Sequence, residues 1–536
     1  MIRSIREAVA TGAKRRKVWG WGYEGEGVVP SETDAIARTL ASHLGADAIR
    51  PRAVPGLGEL VLPPSRVTPP ASLAAVLSGD RRHRAEHTFG QAYVDLVRGL
   101  RGEYRPAPDL VAFPRDEADI AAILEWCGGE RIAAIPYGGG SSVVGGIEAA
   151  VGEDHRGAVS IDLRLIAGLV EVDERSRAAR LRAGTFGPSV ESELEPHGLT
   201  LRHFPQSFEM STVGGWIATR ASGHYATGRT RIDHVVESLR VVTPKGVLET
   251  DRAPSGAGPS AAALLLGSEG TLGIITEAWL RVEGRARSRS SRTVAFPTFD
   301  AGVDAVRALA QSTLLPANCR LLDPLESLLS GAGDGTRALL LLGFESSHID
   351  TLIPMSAALD LCRSHGGEPA PARDAREPGG ADAWRAFFLR APHIRDAVVR
   401  LGVITETFET ATTWDRFPAL YAAVVDATRC AIADVCGRGL VTCRVPYAYA
   451  DGAAAYFTVV ARARPDQEIE QWLAIKTAAS DALQAAGGTI THHHAVGRTH
   501  RPWYDRERPP LFADALRSVK AELDPRGIMN PGVLLG

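Results

Sequence analysis

Short apolar runs punctuated by glycine, proline and charge dominate the chain from residue 109 onward, the pattern of strands at least half buried. Leu110-Val111-Ala112-Phe113-Pro114 reads as a strand, and Ile132-Ala133-Ala134-Ile135 as a buried one. Between them Asp116 is placed to cap a helix in which Ile120, Ile123 and Leu124 recur at helical spacing. Residues 158–161, 169–172 and 179–183 follow as strand-like runs. Short strands mixed with a few helices predict an α+β fold and not a long βαβ series. After about residue 286 the pattern restarts, with a strand over 293–296, a helix over 301–310 and a strand over 338–344. The first hundred residues read as helical and Arg-rich, with prolines thickening between Pro51 and Pro70 into a linker or irregular crossing.

Length and charge narrow the classes. A 536-residue chain leaves room for roughly three or four domains. Its net charge of −3 does not suggest a nucleic-acid partner. The six cysteines are scattered with no C-x-x-C pair, which fits free thiols in a reducing, cytoplasmic setting better than a disulfide framework or zinc site. No apolar run approaches the length of a membrane span, no signal-peptide pattern opens the chain, and it does not end in a peroxisomal tripeptide. Arg3, Arg6, Lys14, Arg15, Arg16 and Lys17 precede Trp19-Gly20-Trp21-Gly22-Tyr23. Such a stretch could lie peripherally on an anionic membrane, though a solvated helix face is the default.

Three segments carry the cofactor chemistry. Pro136-Tyr137-Gly138-Gly139-Gly140-Ser141-Ser142 follows the buried strand. Its glycines let backbone N–H groups approach an anionic ligand, but it is neither G-x-G-x-x-G nor a P-loop; alone it also reads as a flexible surface turn. The second is Pro205-Gln206-Ser207-Phe208-Glu209-Met210-Ser211-Thr212-Val213-Gly214-Gly215-Trp216-Ile217-Ala218-Thr219-Arg220-Ala221-Ser222-Gly223, in which a helix beginning near Thr212 would aim its amides at a phosphate or flavin edge. The third is Leu266-Gly267-Ser268-Glu269-Gly270-Thr271-Leu272-Gly273-Ile274-Ile275-Thr276-Glu277, whose glycines permit close approach to a planar ring.

In this order the segments resemble the FAD-binding domain of the vanillyl-alcohol oxidase / p-cresol methylhydroxylase superfamily. The runs S-T-V-G-G-W-x-x-T-R-A-S-G and G-S-E-G-T-L-G resemble the alkyldihydroxyacetonephosphate synthases in particular. The resemblance implies a helical N-terminal region (1–104), a two-part FAD-binding domain (105–285), an antiparallel-sheet cap domain over the flavin (286–490) and a C-terminal segment returning to the FAD domain (491–536). FAD would be contacted by residues 136–142, 206–212, 219–222 and 269–275. Because the first glycine loop contains no histidine, non-covalent FAD is expected. Gln206 stands where the synthase pattern usually has Asp, Pro446 where it has threonine, and Ala495 where it has glycine.

The same resemblance assigns chemistry to the cap. Arg320, in Cys319-Arg320-Leu321-Leu322-Asp323, matches a functionally important arginine. Arg395, in His393-Ile394-Arg395-Asp396 upstream of Glu406-Thr407-Phe408-Glu409, matches a substrate-binding one. Tyr456 matches the active-site tyrosine, and His492-His493-His494 the family's histidine triplet. Each also has an ordinary reading, as ion-pair partners for the arginines and a core residue for Tyr456. An arginine fork suits phosphate, and an imidazole suits proton transfer near neutrality. A metal at the triplet is not expected, because adjacent strand residues point to opposite faces and no acidic cluster stands nearby in sequence.

The implied reaction exchanges the acyl group of an acyl-dihydroxyacetone phosphate for a fatty alcohol through an adduct at flavin N5, without net redox. The alternatives are an FAD-dependent oxidase or dehydrogenase of a hydroxy acid or alcohol, and a flavin-binding protein without catalysis. A lipid-like phosphorylated substrate, a fatty alcohol and a homodimer complete the expected partners.

Overall fold

The computed structural model describes residues 15–225, 227–228, 231–371 and 380–535. Its first half holds two sheets, and the glycine loop follows the strand Ile132–Tyr137 of the smaller. In the smaller one the strands run in the order Leu77–Ser78, Leu110–Ala112, Gly157–Asp162, Ile132–Tyr137; the last three are parallel and buried along their length apart from Pro136. The larger is antiparallel throughout, in the order Leu169–Asp173, Ala178–Arg182, Ile274–Arg281, Val236–Thr243, Gly246–Glu249.

The helix Glu117–Glu130 joins the two sheets. The Asp116 carboxylate caps it by accepting from Asp119 N at 2.9 Å, and Ile120, Ile123 and Leu124 are buried on its inner face. At its other edge the Glu117 carboxylate accepts from Arg240 (2.9 Å) and from the Thr276 hydroxyl (2.6 Å), both on the larger sheet.

The second half is built on a seven-stranded antiparallel sheet, in the order Glu368–Pro369, Ser288–Phe296, Ala338–Ser346, Asn318–Leu322, Gly439–Ala448, Gly452–Arg462, Val403–Thr413. Side chains alternate across a strand, and here the alternation separates core from chemistry. Cys319, Leu321, Phe408, Phe457 and Val459 belong to the main core, packed beneath the helices Phe299–Gln311, Phe417–Cys436 and Glu468–Ala485. Burying each such large apolar side chain contributes about 1.5–3 kcal/mol. Their neighbours Arg320, Thr407, Tyr456, Thr458 and Val460 face the opposite way, into a cavity. Glu406 lies with the core-facing set, where its carboxylate accepts from Trp472 Nε1 (2.6 Å) and Lys476 Nζ (3.1 Å).

The N-terminal aromatic run corrects one expectation. Trp19 and Trp21 are 8% and 9% exposed, so they are turned inward and offer no face to a membrane. Trp19 Nε1 donates to Leu96 O at 2.8 Å, and Trp21 N donates to Asp396 Oδ2 at 2.6 Å. Gly20 makes this latch possible: it sits at φ +78°, and a Cβ there would stand 2.5 Å from Asp396 Oδ2. Arg3, Arg6 and Lys14 lie outside the described residues. Among the described residues no helix is long and apolar enough to cross a membrane.

Candidate active site

A cavity of about 640 Å³ runs between the glycine loops and the concave face of the cap sheet. Residues 136–142, Gln206, Ser207, Ser211, Thr212, Thr219, Ala221, Ser222, Glu269, Gly270, Gly273, Ile274 and Ile275 all line it. The loops meet through their backbones. A Cβ on Gly139 would lie 1.8 Å from Met210 O, and one on Gly138 would lie 2.4 Å from Thr212 Oγ1; no side chain fits at either position. Ser222 Oγ is buried on this wall without a partner among the described residues. A loop stripped of side chains and a waiting hydroxyl fit a long, polar, phosphate-bearing cofactor such as FAD.

Several of the expected contacts do not line the cavity. Phe208 stacks on Trp216 (centroids 6.4 Å apart, planes 11° apart), Glu209 is exposed, and Met210 contributes its carbonyl against Gly139. Arg220 closes a helix with φ +53° and turns to Asp233, 2.8 Å away. Thr271 and Leu272 are buried beneath the loop, Thr271 with its hydroxyl on Ser268 O at 2.7 Å. Glu269 lines the cavity but is spent on architecture: its carboxylate accepts from Val496 N (2.8 Å) and Gly497 N (2.7 Å). Burial pushes it up to about 7 against those two bonds.

Across the cavity, Arg320 is 1% exposed and makes no salt bridge among the described residues. Its guanidinium lies 4.0 Å over Trp384 and donates to His224 O at 3.2 Å, and its Nε has no partner among the described residues. Burial lowers its pKa to about 9, the mark of a cation missing its counter-ion. Arg395, on the helix Gly380–Arg400, donates Nη1 to Gln91 O at 2.7 Å and also has a buried Nε with no partner among the described residues. Both line the cavity.

Tyr456 stands between them and the histidines. Its ring is 6.0 Å from that of His493 and 5.4 Å from that of His494. Burial raises the phenol above its ordinary value, opposed chiefly by the Arg444 cation.

The triplet is not in a strand. Residues 492–494 form a bend wrapped around Glu409, which accepts from His492 N (2.6 Å), His493 N (3.1 Å), His494 N (2.9 Å) and the Thr491 hydroxyl. The alternation argument therefore does not apply, and the acidic group absent from the neighbouring sequence arrives from the cap sheet. Burial works against ionisation of Glu409, but the facing imidazoles, His493 first, hold it well below the usual carboxylate range. Ligand-type atoms of Glu409, His492 and His493 lie within 4.8 Å of one another. The carboxylate's lone pairs are already taken by four donors, which suits an array that orients imidazoles better than one that binds a cation.

His493 and His494 line the cavity while His492 does not. Its Nε2 faces the Tyr449 hydroxyl at 2.7 Å and its Nδ1 faces His493 Nδ1 at 3.1 Å. Burial lowers His492 to about 3 and takes His494 well below its ordinary value, so both are neutral at physiological pH. Ala495 closes the bend at φ +71°, a region that costs a side-chain-bearing residue roughly 1–2 kcal/mol. Pro446, lacking an N–H, falls within the irregular register between Arg444 and Tyr447.

Sequence reasoning missed Glu409, Thr407, Arg444 and Glu326. The first two could have been found from the spacing Thr405, Thr407, Glu409, three polar residues at alternate positions and so on one face of a strand. Arg444 and Glu326 carried no local signal, because their pairing joins positions 118 residues apart.

A glycine-lined cofactor cleft roofed by one antiparallel sheet defines a flavoprotein of the vanillyl-alcohol oxidase / p-cresol methylhydroxylase class. Family models described as "FAD binding domain" and "FAD linked oxidases, C-terminal domain" match residues 108–251 and 285–534. The chain is similar in fold to p-cresol methylhydroxylase with substrate bound (TM-score 0.66, 12% identity, covering 94% of this chain and 97% of that one). A solved alkyldihydroxyacetonephosphate synthase superposes with a TM-score of 0.78 at 25% identity, over 96% of this chain and 98% of that one. The alkyldihydroxyacetonephosphate synthase of Dictyostelium discoideum is 31% identical across 86% of this chain and 78% of its own length. The chain belongs to the alkyldihydroxyacetonephosphate synthase family, and its cofactor is FAD.

Proposed function

We propose that the protein exchanges the acyl group of an acyl-dihydroxyacetone phosphate for a fatty alcohol, releasing a fatty acid and forming an ether lipid precursor. In this reading residues 105–285 bind FAD, 286–490 cap the site and 491–536 return to the FAD domain. The observation that carries it is the make-up of this cavity. Beyond the glycine loops and the arginines, its wall continues as Ile36 and Leu40 of the helix Pro30–Leu44, facing Ile394, Val398 and Val460. Anion-binding groups in the middle and an aliphatic arm at one end match a phosphorylated head with a long chain.

Bound flavin supplies nucleophilic and electron-accepting chemistry at its ring, so the exchange needs no external oxidant. The chain's own groups do the rest. Arg320 and Arg395, each with a buried donor that has no partner among the described residues, hold the phosphate. Tyr456 and His493 handle the proton on the carbon next to the ketone, with Glu409 fixing His493 and neutral His494 completing the wall. The apolar arm receives first the acyl and then the alkyl chain, and keeps water from the carbon that changes partner. A peripheral contact with the membrane that supplies both lipids belongs to this reading, made by N-terminal basic residues and not by the buried tryptophans.

Purified protein given acyl-dihydroxyacetone phosphate and a fatty alcohol should release fatty acid and incorporate the alcohol without consuming oxygen or an electron acceptor. Sustained reduction of oxygen or dye by a simple alcohol or hydroxy acid, with no ether product, would establish an oxidoreductase instead. Attachment of FAD is proposed to be non-covalent. Acid precipitation should then leave all of the yellow colour in the supernatant, and colour in the pellet would show a covalent link.

A further inference from the structure

Arg444 enters neither the phosphate site nor the cofactor site described above, yet it is the charged group nearest the Tyr456 ring. Its guanidinium carbon lies 3.7 Å from the ring centroid, and the two residues are direct partners across neighbouring strands of the cap sheet. Arg444 is 6% exposed and lines the cavity. Behind it, Glu326 is 4% exposed; it accepts from Arg444 Nη1 on one oxygen and from the Thr442 hydroxyl on the other. The short helix Pro324–Leu329 that carries Glu326 is itself pinned to the strand, because its capping residue Asp323 accepts from Cys443 N at 2.6 Å. A dry, oriented ion pair is therefore braced against one face of one tyrosine.

We propose that Arg444 is a positioning residue for the proposed reaction: it clamps the Tyr456 ring and stabilises its ionised form, while Glu326 holds Arg444 in place and moderates its charge. The proposal rests on the acid–base role given to Tyr456 above. A buried phenol resists ionisation, and an opposite charge at this separation offsets that resistance by about 1–3 pH units. The other charged or titratable groups facing the ring are Glu409 on the strand beside it, His493 and His494 in the bend, and Arg395 on the helix above. Glu409 opposes ionisation and Arg395 favours it. The Arg444 guanidinium lies 3.7 Å from the ring centroid and the His493 ring 6.0 Å from it, so the Arg444 contribution is the closer one and separates from the others by mutation.

The direction of the effect differs between two variants. Glu326→Gln keeps an acceptor for Arg444 but removes the compensating charge, so the phenol should ionise at lower pH than in the wild type. Glu326→Gln with Arg444→Met removes both charges together, and the phenol should ionise at higher pH, by about one unit or more. The titration of Tyr456 is read in FAD-loaded protein as the near-ultraviolet difference between each background and the same background carrying Tyr456→Phe. In the double variant, turnover at neutral pH should fall at least about tenfold and recover as pH is raised. A merely structural role would give a loss that pH does not restore. An unmoved Tyr456 titration in both backgrounds overturns the proposal. Where the double variant does not load flavin, the downward shift in Glu326→Gln carries the test, and its absence is equally fatal. The titration needs no turnover, so a wild type inactive in the ether assay would sink the proposed reaction while leaving this result readable.

Discussion

Tyr456→Phe removes ether formation and fatty-acid release together, and leaves a folded, fully yellow protein. His493→Ala does the same. Positioned acid–base groups contribute about 10²–10⁴-fold each, and two that act as a unit are not additive, so the double variant should be little worse than either single one. Tyr456 is buried on the cavity face of the cap sheet with its ring 6.0 Å from that of His493. Loss of the hydroxyl leaves the ring's packing on Arg444 intact, so stability and flavin content serve as internal controls. The measurement is single-turnover release of fatty acid at saturating substrate. Retention of more than about a tenth of the wild-type rate in either variant would exclude it from proton transfer.

Arg395→Lys should weaken binding of the phosphorylated substrate by about 2–5 kcal/mol, or roughly thirty- to several-thousand-fold, with FAD content unchanged. The charge survives the substitution but the fork does not. One arm of the fork is already committed to Gln91 O at 2.7 Å, and the buried Nε has no partner among the described residues. A lysine ammonium can satisfy one of these positions at a time. Substrate affinity measured by displacement or by KM at fixed alcohol reads the effect, and unchanged affinity would remove Arg395 from the phosphate site. The effect is expected in KM more than in kcat, since a phosphate contact is made equally in ground and transition states.

The sequence made some of this architecture legible and hid the rest for a definite reason. Local signals held where local physics decides. Asp116 caps its helix, the apolar run at 132–135 lies inside the buried strand Ile132–Tyr137, and the strand, helix and strand expected after residue 286 lie within Ser288–Phe296, Phe299–Gln311 and Ala338–Ser346. The triplet failed as a strand because its geometry is dictated from outside: a carboxylate 83 residues earlier collects three consecutive N–H groups and forces the bend. Arg220 reads like a cofactor contact because it sits inside a glycine- and hydroxyl-rich run, yet the left-handed turn at its own backbone sends the side chain to Asp233. Glu269 likewise faces the cavity with its carboxylate already bound. Pattern identifies which strand face meets the cavity; only long-range pairing identifies which polar group there is free.

Residues 520–530 brace the cofactor cleft from outside. Ala134, in the strand that leads into the glycine loop, exchanges backbone bonds with Ile528 and Asn530 (2.8 and 2.9 Å). The Asn530 side chain then spans Gly146 O and Glu269 O, at 3.0 and 2.7 Å, while Lys520 reaches Thr271 O at 2.7 Å. Two of the three cofactor segments are thus tied to each other by a stretch that leaves the ribosome about 250 residues after the second of them. Nascent chains acquire structure from the N-terminal end first, so a partly made chain carries the glycine loops without their brace. Flavin capture is therefore expected to wait for residues 520–530, and a chain cut short before them, however well its first half folds, is expected to accumulate colourless.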